Sequence, residues 1–233
     1  VDAGFDFIQE ALLASGVPPR QLDSYRSRLE QLAERLGTSL PPDPLRRASG
    51  LFHKLWREKP HRYQPVADFR LHRALENQLR PEREEVGNCL GLTMLYTALA
   101  HCLGLGPHLG AVYLASSFVD RGPHVLSLLR TPQHNIDIEH VFPTGFDFRG
   151  HLDNPAREEW SEPDLVAETY VADGNFCFDA RHLQGALEKY DRALELRPTS
   201  YKALVNRATV LAALGRVEEA AEAFVAADGT SPL

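Results

Sequence analysis

Apolar residues in the first eighty positions recur at the three- and four-residue spacing of amphipathic helices. Phe5, Ile8, Leu12 and Leu13 form one set, stopped by Gly16 and Pro18-Pro19. Leu22, Tyr25, Leu29, Leu32 and Leu36 form a second stripe, on a helix from Asp23 to Leu36 with Gly37 just past its end. Pro41-Pro42-Asp43-Pro44 is a loop. A third helix fits Leu45 to Trp56, with Leu51, Phe52, Leu55 and Trp56 as its apolar face, and a fourth fits Asp68 to Leu79. Together these predict a helical packing layer.

The pattern then changes. Between Glu85 and Asp120 lie 34 residues, Val86 to Val119, without one Asp, Glu, Lys or Arg. The helix-compatible part, Cys89 to Leu105, is 17 residues long, contains His101 and is closed by Gly104, Gly106 and Pro107. A bilayer span wants ~20 apolar residues. The stretch therefore predicts a buried core helix followed by a buried strand rather than a membrane helix. Short apolar or alternating runs follow: Leu109–Ala115, Val125–Leu129 and Ile136–Phe142. Gly122-Pro123, Thr131-Pro132 and Pro143-Thr144-Gly145 punctuate them, and connections this short predict antiparallel strands. A buried helix with an antiparallel sheet is an α+β arrangement.

The tail is helical and repeats. An offset of 34 superimposes Tyr170 on Leu204, Gly174 on Ala208, Ala186 on Ala220, Tyr190 on Phe224, Ala193 on Ala227 and Pro198 on Pro232. That period is the tetratricopeptide (TPR) period. Small residues let paired helices approach, Tyr190 and Phe224 are expected to fill the gap to the next unit, and proline breaks between units. Two repeats, about 167–200 and 201–233, resemble TPR motifs and form a module from about 165. Two repeats rarely bury enough surface alone, so packing on the preceding domain or further repeats are both expected solutions.

Composition narrows the function classes. Hydrophobic residues make up 43% and charged residues 24%, which suits globular rather than disordered chain. Twenty-five basic against 32 acidic residues leave a net charge of −7, and no basic run disfavours nucleic acid as a partner. Cys89, Cys102 and Cys177 are odd in number and lack metal-ligand spacing, so no disulfide framework is expected and a reducing, cytoplasmic setting fits. No signal-peptide pattern is present, although a chain that starts at Val1 is compatible with a removed leader.

Cys89 is the sharpest candidate for chemistry. It follows Gly87-Asn88 and opens the buried helix, where the positive end of the helix dipole favours a thiolate. Cys102 and Cys177 read as packing residues. A cysteine nucleophile needs a base, usually His, and the base needs an orienting acid. His124 opens one predicted strand, and Asp137 lies on the next, where antiparallel pairing would bring it within reach. Asp137 and Glu139 share a strand face.

The run Gly87-Asn88-Cys89-Leu90-Gly91-Leu92-Thr93, with Leu95-Tyr96, Leu99-Ala100, Leu103-Gly104-Leu105, His124-Val125 and Asn135-Ile136-Asp137 to Pro143-Thr144-Gly145-Phe146, resembles the transglutaminase-like superfamily. More narrowly it is similar to the bacterial SirB1-type branch, which often pairs such a core with TPR repeats. The resemblance covers residues 45–150 well and implies a transglutaminase-like domain over about 1–160. It implies a papain-like fold, with Cys89 as nucleophile, His124 as general base then acid, and Asp137 as orienting acid. Asn88 is a possible supporting residue, and Glu139 would replace Asp137 if the register differed by two. The implied reaction is acyl transfer at an amide, in the manner of a cysteine protease or amidase-like hydrolase, with TPR repeats recruiting a protein or peptide. The Cys89 N–H would contribute to an oxyanion hole. Many SirB1-type members lack the cysteine, so a catalytically silent binding module is the alternative, and Val125 departs from the usual aromatic after the superfamily's His.

Three histidines offer a rival. His124, His134 and His140 lie close in sequence, but spacings of ten and six match no helical ligand pair, and no HExxH occurs. Gly104-Leu105-Gly106 lacks the rest of a phosphate loop and reads as a helix cap with a turn. No metal and no cofactor are expected.

Overall fold

The computed structural model describes residues 4–118 and 122–230. Val119, which ends the charge-free stretch, and Pro232, which ends the repeat alignment, lie outside the described residues. The described residues form an α+β protein with nine α-helices and a four-stranded antiparallel sheet. The chain divides into two units: residues up to 162 except Ala14–Gly16, and Ala14–Gly16 with Pro163 onward.

Four helices precede the charge-free stretch: α1 (Phe7–Ala14), α2 (Leu22–Gly37), α3 (Pro44–Glu58) and α4 (Leu71–Leu79). Asp43 caps α3 by accepting the Arg46 N–H at 2.9 Å, and Pro44 takes the first helical position, where its missing N–H costs nothing. Helix α4 starts three residues later than expected, because the Asp68 carboxylate accepts the Arg70 N–H at 2.9 Å and Arg70 stays extended.

The charge-free stretch builds α5 (Cys89–Cys102) and β1 (Leu109–Leu114). Every residue from Leu90 to Ala100 is buried, which is why no charge is tolerated there. Two hydrogen bonds tie α5 in place: Tyr96 Oη donates to the Ala48 carbonyl of α3 at 2.9 Å, and Thr93 Oγ1 donates to the Val125 carbonyl at 3.2 Å. Val125 belongs to β2 (His124–Arg130), which pairs with β1 and with β3 (Asn135–Ile138). A further strand, β4 (Arg157–Trp160), adds to β1, giving the order β3-β2-β1-β4. The hydropathy pattern does not predict β4, because Arg157-Glu158-Glu159 is charged; charge is what an edge strand carries.

Val112, Leu114, Leu126 and Leu128 cluster on one face of the sheet. Arg157 reaches from β4 to Asp137 on β3 (Nη2 to Oδ1, 2.7 Å), and Asn135 of β3 reaches Glu159 of β4 at 3.2 Å. Edge strands that touch across two intervening strands require a strongly coiled sheet. Strand β3 stops at Ile138, four residues short of the expected Phe142, because the chain reverses there. The Gly145 N–H donates to the Phe142 carbonyl at 3.1 Å, and the Glu139 N–H donates to the Gly145 carbonyl at 2.8 Å. A Cβ on residue 145 would overlap the Glu139 carbonyl, so only glycine fits.

The second unit is helical: α6 (Glu162–Asp179), α7 (Leu183–Leu196), α8 (Tyr201–Ala213) and α9 (Val217–Asp228). Its backbone repeats at the offset read from the side chains. Arg181 and Gly215, 34 apart, both take positive φ (63° and 77°). The His182 N–H bonds the Cys177 carbonyl just as the Arg216 N–H bonds the Leu211 carbonyl, at 2.8 and 2.9 Å. Tyr190 packs where a Cβ on Gly174 would come within 2.6 Å of its ring, so the small residue makes room for the large one inside the same helix pair. Phe224, its counterpart in the second repeat, is 45% exposed.

Gly145→Ala is expected to lower unfolding stability by about 1–3 kcal/mol, the usual range for an overpacked site. Urea denaturation checks this, and a variant as stable as the parent would contradict the tight reversal that presents Glu139.

Candidate functional site

Asn88 starts the site. Its side chain accepts the Gly91 N–H at 3.0 Å, capping α5 and leaving Cys89 as the first helical residue, half-exposed. His124 is the first residue of β2 and is fully buried. The two side chains are hydrogen-bonded to each other. His124 Nε2 also lies 2.8 Å from Glu139 Oε2, and His151 Nε2 lies 2.9 Å from that same oxygen. An ionised carboxylate only accepts, so both Nε2 atoms carry hydrogen. Nδ1 of His124 is then the nitrogen that faces the Cys89 thiol.

The acid beside His124 is therefore Glu139, and Asp137 is elsewhere. The register sets Asp137 opposite Leu128. That is four residues along β2 from His124, ~13 Å at the usual strand rise. Glu139 is two residues nearer, and its longer side chain spans the remaining diagonal. Asp137 is instead buried against Arg157, the 2.7 Å partner across the coiled sheet. Asp137 was expected to orient His124 because sequence shows that two strands neighbour each other but not their register.

The electrostatics follow from burial and bonding. Burial alone would lower the His124 pKa, but hydrogen bonds to Cys89 and Glu139 and the charge on each outweigh it, so His124 is raised. Burial alone would raise Glu139, but the hydrogen bonds from His124 and His151 outweigh it and hold the carboxyl below its ordinary range. His140 behaves oppositely. Burial, assisted by the Arg62 charge, takes it down to about 3, and its Nε2 lies 2.8 Å from Ser127 Oγ. Burial raises Cys102 to about 11, which keeps it a thiol at neutral pH.

The histidines of the rival metal set are not gathered. His134 is exposed, and His140 is held by Ser127. Among the described residues, the group whose ligand atoms lie within metal-bridging distance of one another (4.8 Å) is His124, Glu139 and His151. Its present geometry is that of one oxygen accepting two N–H bonds. His151 has no signal in the sequence: it sits in the loop between β3 and β4, where hydropathy carries no period. A cavity of about 500 Å³ lies beside the cluster, lined by Asp137, Arg157 and Phe148 among others but by neither Cys89 nor His124.

No protein-family model, curated protein or solved structure matches the chain.

The pKa shifts define a pH window for stability. His140 is lowered from 6.5 to about 3, so its contribution is whole above 6.5 and is lost as pH falls toward 3. His72, lowered by burial, works in the same direction. Glu139 is depressed, so its contribution is whole above 4.5 and is lost below. His124 is raised above 6.5, so its contribution is whole below 6.5 and is lost as pH rises. The cluster is therefore most favourable near pH 6.5. Unfolding free energies from urea denaturation are expected to fall on acidification below that point, with a slope of about 1.4 kcal/mol per pH unit for each proton taken up on unfolding. His140→Gln is expected to flatten the slope; an unchanged slope would contradict a neutral buried His140.

Proposed function

We propose that the chain is a cysteine-dependent acyl-transfer enzyme of the peptidase or amidase kind. In this reading the first unit has a transglutaminase-like, papain-like core and the second unit is a pair of TPR repeats that recruit a protein or peptide. The observation that carries it is the line from the Cys89 thiol through His124 to the Glu139 carboxylate, with the thiol at the first turn of a buried helix.

The chemistry follows from the line. Cys89 gives its proton to His124, and the imidazolium is balanced by the buried Glu139 charge. The thiolate attacks an amide carbon, and the Cys89 N–H is one donor to the developing oxyanion. Collapse breaks the C–N bond while His124 returns the proton to the leaving amine, forming a thioester. His124 then takes a proton from water or an amine, which attacks the thioester and releases the acyl product and the thiolate. Glu139 fills the role of orienting acid that the resemblance implied for Asp137. The repeated backbone turn at residues 34 apart supports the TPR reading, and Asn175, Tyr190 and Asn206, which bond one another at 2.7 and 2.8 Å, lie with Phe178 around a cavity of about 270 Å³ in that unit. Among the described residues no helix is long and apolar enough to cross a membrane.

Alkylation by iodoacetamide at neutral pH, followed residue by residue by mass spectrometry, tests the reading. Cys89 is expected to react well ahead of Cys102. Glu139→Gln is expected to slow Cys89 by at least ~100-fold, in line with loss of a histidine-orienting acid, and Asp137→Asn by less than ~3-fold. A Cys89 that labels only after denaturation would favour the silent, binding-module alternative. Equal effects of the two substitutions would remove Glu139 from the role given to it.

A further inference from the structure

The proposed chemistry makes no use of His151. Its Nε2 reaches the same Glu139 oxygen as His124 Nε2, at 2.9 against 2.8 Å. The ring is fully buried and packs against Phe118 and Phe148, each with its centroid 5.0 Å away, and lies 5.8 Å from the His124 ring. Among the described residues its Nδ1 is buried without a partner, and the hydrogen bond that the ring makes there through its nitrogens goes to Glu139. The other carboxylate oxygen, Oε1, accepts the Val141 N–H at 3.3 Å. Two imidazoles on one oxygen and a backbone donor on the other leave the carboxylate little freedom to rotate.

We propose that His151 is a positioning residue: it clamps Glu139 so that Oε2 stays on His124 Nε2, and so keeps the other nitrogen of His124 turned to Cys89. This rests on the acyl-transfer reading above. Without His151 the carboxylate would keep His124 and the longer 3.3 Å bond from the Val141 N–H, a looser hold that lets its oxygens shift and the His124 ring turn with them. Aromatic packing against Phe148 and Phe118 helps to hold the ring beside Glu139. The charged and titratable groups that face this arrangement are His124 and Glu139 directly, with Asp137 close by on β3 and His140 and Arg62 beyond Glu139.

The test is the pH dependence of Cys89 alkylation by iodoacetamide in the parent, in His151→Phe, which keeps the ring volume without a donor, and in His151→Gln, which keeps an N–H donor. The parent is expected to react faster than an ordinary thiol at neutral pH. His151→Phe is expected to lose about tenfold, with its profile displaced toward that of an ordinary thiol, and His151→Gln to recover most of the loss. Circular dichroism establishes that each variant is folded; if His151→Phe is not, His151→Met makes the same comparison with a donor-free chain that fills the space. Coincident parent and donor-free profiles would overturn the clamp, as would a Gln variant no better than Phe or Met. One equivalent of zinc bound by the parent and lost with His151 would also overturn it, because the three side chains would then be ligands. A parent whose Cys89 behaves as an ordinary thiol would instead sink the acyl-transfer reading itself.

Discussion

A carboxylate buried beyond the reach of water is the constraint around which this protein is arranged. Removing a charge from water costs several kcal/mol even after the surroundings relax. Glu139 is fully buried, and burial would raise its pKa, yet it is held low by the hydrogen bonds from two imidazoles and the nearby histidine charge; the Val141 N–H meets its other oxygen. Hydrogen bonds to a charged group are worth about 1.5–3 kcal/mol each, so three of them offset the penalty where one would not. The same bonds decide which nitrogen of His124 faces the thiol. Stability and chemistry therefore rest on the same few atoms.

The rest of the first unit serves to deliver those atoms. The Asn88 cap and the charge-free interior of α5 set the sulfur at a helix start. The Gly145 reversal ends β3 so that Glu139 leaves the sheet within diagonal reach of His124. Asp137, two residues earlier, is spent on holding the coiled sheet closed through Arg157. Burial raises its pKa despite that guanidinium, so its charge is tolerated there rather than favoured. His140 links the layers from the other side: it bonds Ser127 of β2, and its ring centre lies 4.9 Å from that of Tyr96 in α5. His124 and His140 are thus shifted in opposite directions, the first raised by its bonds to Cys89 and Glu139 and the second lowered by burial.

Much of this is legible before any coordinates. The absence of charge from Val86 onward announces the buried interiors of α5 and β1, though Phe118 near its end is exposed, and Asn88 followed by an apolar run announces where the helix begins. A 34-residue offset in small and large residues reappears as a repeated positive-φ turn at Arg181 and Gly215. What is not legible is register. Alternation shows that Asp137 and Glu139 share a face, but not which of them comes within reach of His124, since that depends on how β3 slides along β2 and where Gly145 turns the chain back. Strand β4 hides because an edge strand has a charged composition. His151 hides because a loop residue has no period, and only the fold brings it to Glu139.

The most direct test of the account is the protonation of the His124 ring, read by nitrogen NMR of the imidazole across a pH titration. A ring charged by its neighbours is expected to keep hydrogen on both nitrogens well above pH 6.5 in the parent, and to fall back toward an ordinary histidine when Glu139 is replaced by glutamine. A His124 that titrates near 6.5 in the intact protein, indifferent to Glu139, would contradict it.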